Sequence, residues 1–322
     1  MSSGTQTIGS PRVTDEHLDR LRRHGWAVVE NFLTPEELAA CHRELAAHFP
    51  SAEAVRRAPE RYRHLPRYAA FPFGGAALNE VSVHPELISM VERLLGTSEI
   101  ELAESLVQAK FAAIDGGGTE ENMHVDAWGP NQLAYPRDDG EFRLVPMILY
   151  YTDVGAYDGP THVVSQEDSR GIDLLSAADP ADPLSIPRVT HTRERRPDLY
   201  AREQPVLATG GSLFLMSTRT FHRGSAVLAE DSRRIVHFIT YRASTARWMR
   251  KQLWPAAAPL AQTPNLHRFL ESATPRQREM LGFPAPGDPY WTLEMVEGVG
   301  RRYPRMDMRP YREALDGGPS QS

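Results

Sequence analysis

Residues 210–226 read GGSLFLMSTRTFHRGSA: an apolar strand, a polar turn, and a second short run that ends in His222, Arg223 and Gly224. Working outward from this stretch, the same texture recurs from about residue 100 onward. EIELAESLVQAKFAAI (99–114), RLVPMILYYTDV (143–154), PTHVVS (160–165) and RRIVHFITYRA (233–243) are short apolar runs separated by Gly, Pro, Asp and Asn. Short strands with turn signals between them predict a mainly β architecture, a sandwich or a barrel.

The flanks read differently. TDEHLDRLRRHGWAVVENF (14–32) opens with Thr14 as an N-cap, carries Leu18 and Leu21 at helical spacing, stops at Gly25 and continues as a short strand. TPEELAACHRELAAHF (34–49) is a second helix with Thr34 at the N-cap and Pro35 in the first turn. Residues 51–75, rich in Arg, Tyr and Pro, show no period and read as a long loop, and PELISMVERLLG (85–96) is an amphipathic helix entered just after His84 and closed by Gly96. The organisation expected is a leader over residues 1–13, one domain over 14–245 with flanking helices, and a Pro-rich, partly helical extension over 246–322 packed on the core. A stretch dense in Pro and charge, 168–204, reads as a surface insertion between strands.

With 322 residues the chain can bury one large core. A net charge of -6, with Lys and Arg scattered among Asp and Glu, leaves no sustained basic face, so nucleic acid is not an expected partner. Cys41 is the only cysteine, which excludes an intrachain disulfide and a thiolate metal cage; a metal here must be held by imidazole and carboxylate. No run of about 18 apolar residues occurs and the first dozen lack the apolar centre of a signal peptide, so a cytoplasmic protein with no membrane partner is expected.

NMHVDAW (122–128) sets His124 and Asp126 two positions apart at the edge of the β region, just after DGGG. A chain with 12 histidines produces such a spelling by chance, and His17-Leu-Asp19 is one. On a helix, residues i and i+2 point about 200° apart and cannot close on one ion, which disposes of His17 with Asp19 and of His42 with Glu44. On a strand they share a face. With His222 from a neighbouring strand they would form the face of two histidines and one carboxylate that suits non-haem Fe(II) and leaves positions open for chemistry. The bland reading is a turn in which Asp126 bonds its own backbone.

Taken in order, GWAVVENFLTPEEL (25–38), NMHVDAW, LYYTDVGAYDGPTHVVS (149–165), GGSLFLMSTRTFHRGSA and DSRRIVHFITYRA (231–243) resemble the phytanoyl-CoA dioxygenase family of Fe(II)- and 2-oxoglutarate-dependent oxygenases, over roughly residues 18–243. The resemblance implies a double-stranded β-helix, a jelly roll with flanking helices, that uses Fe(II), 2-oxoglutarate and O2 to hydroxylate a small-molecule substrate. It implies His124, Asp126 and His222 as catalytic metal ligands. It places the arginine that receives the distal carboxylate of 2-oxoglutarate about eleven residues beyond the distal histidine, at Arg233, with Arg234 exchanged for it by a one-residue slip. An arginine suits that task because its planar fork binds a carboxylate bidentately.

Gln108, Asn122 and Lys110 are further candidates for cosubstrate contact, and Trp128 and Phe73 for the substrate pocket. The chain departs from the family where QEDS (166–169) replaces a Pro-Gly-Ser-His run and where Gly224 stands in place of a hydroxyl residue. Asp126 argues against halogenation, which in this family goes with a small residue at that position. Two other classes stay open: a metal-dependent hydrolase or isomerase on a jelly roll, and a binding protein that has lost turnover. The Pro-rich tail covers either the site or a homodimer interface.

Overall fold

The computed structural model describes residues 11–118, 120–126, 142–172, 191–246 and 264–316. Nine strands occur among them: β1 (Trp26–Val29), β2 (Tyr68–Ala70), β3 (Ile100–Phe111), β4 (Leu144–Tyr150), β5 (Thr161–Val164), β6 (Gln204–Val206), β7 (Leu213–Met216), β8 (Phe221–Gly224) and β9 (Arg233–Ala243). They form a six-stranded sheet, β1-β7-β4-β9-β3-β2, and a three-stranded sheet, β6-β5-β8, antiparallel throughout. The two sheets enclose a barrel with helices on its larger sheet, the mainly β architecture that the strand texture predicts and the jelly roll with flanking helices that the family resemblance implies.

Alternation along the strands sorts the side chains into two layers. Val145, Met147, Leu149, Ile235, Ile239, Val107 and Ala109 face the helices and belong to the largest apolar cluster. Ile148, Tyr150, Val163, Phe214, Met216 and Val236 form a separate cluster between the sheets. The ladder of β3 on β9 shifts between Leu102 and Glu104. One extra residue there changes the parity. Leu102 thereby joins the helix layer, while Glu104, Leu106, Gln108 and Lys110 line the barrel.

The helical layer is built by local rules. Helix α1 (Asp15–His24) ends at Gly25 in a left-handed conformation, as predicted. Helix α2 (Pro35–His48) has a capping box in which Thr34 accepts from the Glu37 amide and Glu37 accepts from the Thr34 amide. Residues 51–75 are not the loop expected: α3 (Ala52–Arg57), α4 (Pro59–Tyr62) and β2 lie there. Ser51 caps the first by accepting from the Ala54 amide and Pro59 opens the second, so short capped turns replace a long period. Helices α5 (Ala77–Ser82) and α6 (Pro85–Leu95) follow; His84 caps α6, accepting from the Glu86 amide. The decoy histidines are likewise structural, His17 capping α1 at Thr14 and His42 bonding the Tyr151 carbonyl.

Further on, α7 (Pro197–Tyr200) precedes β6, and α8 (Pro264–Ser272), α9 (Pro275–Glu279), α10 (Leu293–Arg302) and α11 (Arg309–Asp316) form the C-terminal part. Leu266, Phe269, Met280, Trp291 and Tyr311 from this part are buried in the same cluster as the helix face of the larger sheet. Among the described residues no helix is long and apolar enough to cross a membrane.

His237, on the helix side of β9, is wholly buried between Ser105, which meets Nε2 at 2.8 Å, and the Tyr151 hydroxyl, which meets Nδ1 at 2.9 Å. Burial pushes its pKa down to about 3. The folded value lies below the unfolded value of 6.5, so this neutral ring contributes stability that is present above pH 6.5 and is lost as pH falls toward 3. Urea unfolding across that range is expected to show stability dropping by up to about 1.4 kcal/mol per pH unit from this group. His237→Gln is expected to flatten that slope; an unchanged slope would remove His237 from the account.

Candidate metal centre

Two loops and one strand bring the site together. DGGG leads from β3 into the 120–126 segment, and Gly117, at φ 81°, leaves no room for a side chain because a Cβ would collide with the Val227 carbonyl. The segment then joins the edge of the smaller sheet: the His124 amide donates to the His222 carbonyl at 2.9 Å and the His222 amide donates back at 2.8 Å. That pair of bonds places both imidazoles side by side, with ring centroids 4.4 Å apart. One donor atom each from His124, Asp126 and His222 lies within 4.8 Å of the others, and both histidines are buried.

The ring orientations fit an ion. His124 Nδ1 lies 2.9 Å from the Asn122 carbonyl and His222 Nδ1 lies 3.0 Å from the Thr220 carbonyl. A carbonyl only accepts, so each Nδ1 carries the proton and each Nε2 is left as a lone pair. Two neutral imidazoles and a carboxylate on one face form a donor set for a divalent first-row ion, of the type used by non-haem iron.

The described C-terminal end of the insertion, residues 191–204, is part of this support. Leu199 and Tyr200 are buried with Met123, Val125, Val164 and Phe221, the apolar neighbours of the ligands. The Tyr200 hydroxyl accepts from the Met123 amide at 3.0 Å and donates to the His191 carbonyl at 2.8 Å. Arg223, next to His222, is clamped by Glu203 at 2.6 and 2.9 Å and also bonds Glu120. Nothing local in the sequence marks Tyr200, which acts 77 residues away from Met123. Tyr200→Phe is expected to lower stability by about 1–3 kcal/mol by orphaning two backbone groups, and to weaken metal retention. Chemical unfolding and metal titration read both; full retention of both would contradict the role.

A cavity of about 210 Å³ opens on the triad and runs along the barrel interior. Its wall includes Gln108, Lys110 and Arg234. Arg234, nearly fully buried, donates to the Gly159 carbonyl and to Gln108 Oε1 at 3.3 Å, while its Nε meets no acceptor among the described residues. Lys110 pairs with Arg234 across the strands and donates to the Ser225 carbonyl at 3.0 Å. Burial pushes its pKa down to about 8, the Arg234 charge adding to this and Glu121 opposing it.

Arg233, the arginine chosen by counting from His222, is on the wrong face. It shares the helix side of β9 with Ile235, donates to the Pro50 carbonyl, and lines a different hollow with His42 and Tyr151. Asn122 supports His124 through its carbonyl and is absent from the lining of the cavity. Phe73 is a core residue, packed edge-on against Phe71 and His237, and does not reach the cavity. Trp128 lies outside the described residues.

A sequence model of the phytanoyl-CoA dioxygenase (PhyH) family matches residues 21–235, two thirds of the chain and all of the barrel up to the start of β9. The chain belongs to the phytanoyl-CoA dioxygenase family. Membership makes it an iron- and 2-oxoglutarate-dependent enzyme of the oxygenase type. No curated protein sequence matches it. Among solved structures, the nogalamycin-biosynthesis epimerase SnoN, in complex with Fe3+, alpha ketoglutarate and nogalamycin RO, is similar at TM-score 0.50 and 21% identity, over 71% of this chain and 83% of that one. HygX from Streptomyces hygroscopicus, with nickel and 2-oxoglutarate bound, is similar at TM-score 0.49 and 14% identity, over 72% and 87%. At 21% identity the likeness to SnoN speaks for the fold alone.

Proposed function

We propose that this protein hydroxylates a small organic molecule, with Fe(II) held by His124, Asp126 and His222 and 2-oxoglutarate held at its distal carboxylate by Arg234. The observation that carries the reading is the convergence of three donors within 4.8 Å at a cavity whose wall holds a buried arginine with an orphaned Nε. When bound, the iron and 2-oxoglutarate supply the oxidising chemistry, taking O2 as oxidant and releasing succinate and CO2. The protein's own residues orient and exclude. The Asn122 and Thr220 carbonyls keep each imidazole in the ligating tautomer. Gln108 holds the Arg234 fork in place, and Lys110 adds a second positive charge at the same end. Two cations there, against the Glu121 carboxylate, make an environment that favours a bound dianion.

The site also explains the departure at Gly224. A Cβ at this position would lie 3.2 Å from Glu121 Oε2 and 3.5 Å from Lys110 Nζ, and the Gly224 amide donates to Glu121 Oε2 at 3.1 Å. Glycine makes room for that pair where other members use a hydroxyl. Lys110→Met is expected to weaken 2-oxoglutarate binding about tenfold, the worth of one charge-assisted bond. The reading as a whole is tested by incubating the purified protein with Fe(II), 2-oxoglutarate and O2 and measuring succinate. Slow succinate formation that requires both Fe(II) and 2-oxoglutarate is expected even before a substrate is known. No succinate, with zinc retained in preference to iron, would move the protein to the hydrolases or to the inactive relatives.

A further inference from the structure

The cavity reaches the edge of the larger sheet at β2. Tyr68 on this three-residue strand sits directly opposite Gln108 of β3, so the two share the barrel face, and both line the cavity. Gln108 Nε2 donates to the Tyr68 hydroxyl oxygen at 2.7 Å, and Gln108 Oε1 accepts from Arg234 Nη2 at 3.3 Å. One amide thus joins the phenol to the arginine, and Tyr68 is near enough to Arg234 to act electrostatically on it. The chain of bonds runs from the rim inward, since Tyr68 is 55% exposed and Arg234 only 3%.

The direction of these bonds is set by chemistry. A guanidinium only donates, so the amide oxygen of Gln108 must face Arg234 and the amide nitrogen must face Tyr68. That nitrogen also only donates, so the phenol oxygen accepts there and its own proton is left for another acceptor. Among the described residues none supplies that acceptor. A surface tyrosine turns its hydroxyl freely in water, whereas this one is anchored at its oxygen and offers its proton at the wall of the cavity, one amide away from the arginine.

We propose that Tyr68 is a binding residue for the cosubstrate: its hydroxyl donates to the distal carboxylate that Arg234 receives, while Gln108 holds both donors in place. A carboxylate offers about four acceptor positions, so a guanidinium fork leaves room for the phenol. The Tyr68 ring, standing at the rim, shields that ion pair from water and salt. This rests on the reading of Arg234 as the cosubstrate end.

The test titrates the whole protein, loaded anaerobically with Fe(II), with 2-oxoglutarate and reads affinity by calorimetry. Tyr68→Phe, which removes the hydroxyl and keeps the ring, is expected to weaken binding about tenfold, and Tyr68→Ala at least as much. Both changes fall at an exposed position of an edge strand, so the variants are expected to fold, which far-ultraviolet circular dichroism checks. A double-substitution cycle separates a direct bond from a mere anchor for the glutamine. In a Gln108→Leu background, Tyr68→Phe is expected to cost a further threefold or more, on the order of one weakened hydrogen bond to a charged group. A cost that vanishes in that background, or a Tyr68→Phe protein that binds 2-oxoglutarate within about twofold of the unmodified one, would overturn the proposal. Arg234→Met without effect on 2-oxoglutarate binding sinks the reading of the site itself, whereas a loss at Arg234→Met with none at Tyr68→Phe sinks this proposal alone.

Discussion

Arg234→Met is expected to weaken 2-oxoglutarate binding by about two to three orders of magnitude, while Arg233→Met leaves it within about twofold. The magnitude follows from losing a fork of charge-assisted hydrogen bonds in a buried site, each worth about 1.5–3 kcal/mol, at about 1.4 kcal/mol per tenfold. The asymmetry follows from strand alternation. Arg234 lies on the barrel side of β9 beside Gln108, with its Nε unsatisfied among the described residues. Arg233 lies on the helix side, half-buried against the Pro50 carbonyl. Calorimetric titration of both variants with 2-oxoglutarate in the presence of Fe(II) checks the contrast. A larger loss at Arg233 than at Arg234 would mean that the strand is read on the wrong face.

His222→Ala is expected to reduce Fe(II) affinity by at least about a hundredfold and to remove succinate formation. Groups that merely orient a metal ligand cost about 10–100-fold when lost, so removing the ligand itself falls at or beyond the top of that range. His222 is buried, its ring is fixed by the Thr220 carbonyl, and its backbone is paired with His124. The backbone pairing does not depend on the side chain, so the variant is expected to keep the His124–residue 222 bridge and fold. Its far-ultraviolet circular dichroism and metal content, measured together, separate loss of the ligand from loss of structure. Iron bound at wild-type affinity by the folded variant would place the metal elsewhere.

The local parts of the fold were legible in the sequence because their signals are local. Thr34, Pro35 and Glu37 spell a capped helix start, and Gly25 and Gly96 close helices in the left-handed conformation that glycine adopts freely. His124, Asp126 and His222 were legible from the spacing of the first two and from the apolar run before His222, although residues 120–126 form no strand and join the smaller sheet only through the His124–His222 bridge. The misses share a cause: each depends on where a strand or loop sits relative to the rest of the chain. A single-residue offset separates Arg233 from Arg234, and the turn over 229–232 that leads into DSRRIV carries no glycine or proline to fix which of them faces the barrel. The register shift that turns Glu104 inward is invisible without the partner strand.

Tyr200 supports the ligand segment from an insertion whose composition reads as solvent-exposed, because its bonds go to backbone groups distant in sequence. Phe73 was drawn toward the pocket by its aromatic character, yet an aromatic between Phe71 and His237 gains more by joining the core. Asn122 contributes its carbonyl, a group every residue carries, so its amide side chain gives no sign of this support.

The central claim is that one face of two histidines and an aspartate holds iron beside a buried arginine that receives 2-oxoglutarate. Anaerobic titration of the metal-free protein with Fe(II) and 2-oxoglutarate, followed by the visible charge-transfer band of the chelate, tests it most directly. The account predicts a band in the unmodified protein, none in His222→Ala, and a band in Arg234→Met that needs about a hundredfold more 2-oxoglutarate. No band in the unmodified protein, or a band indifferent to both substitutions, would contradict it.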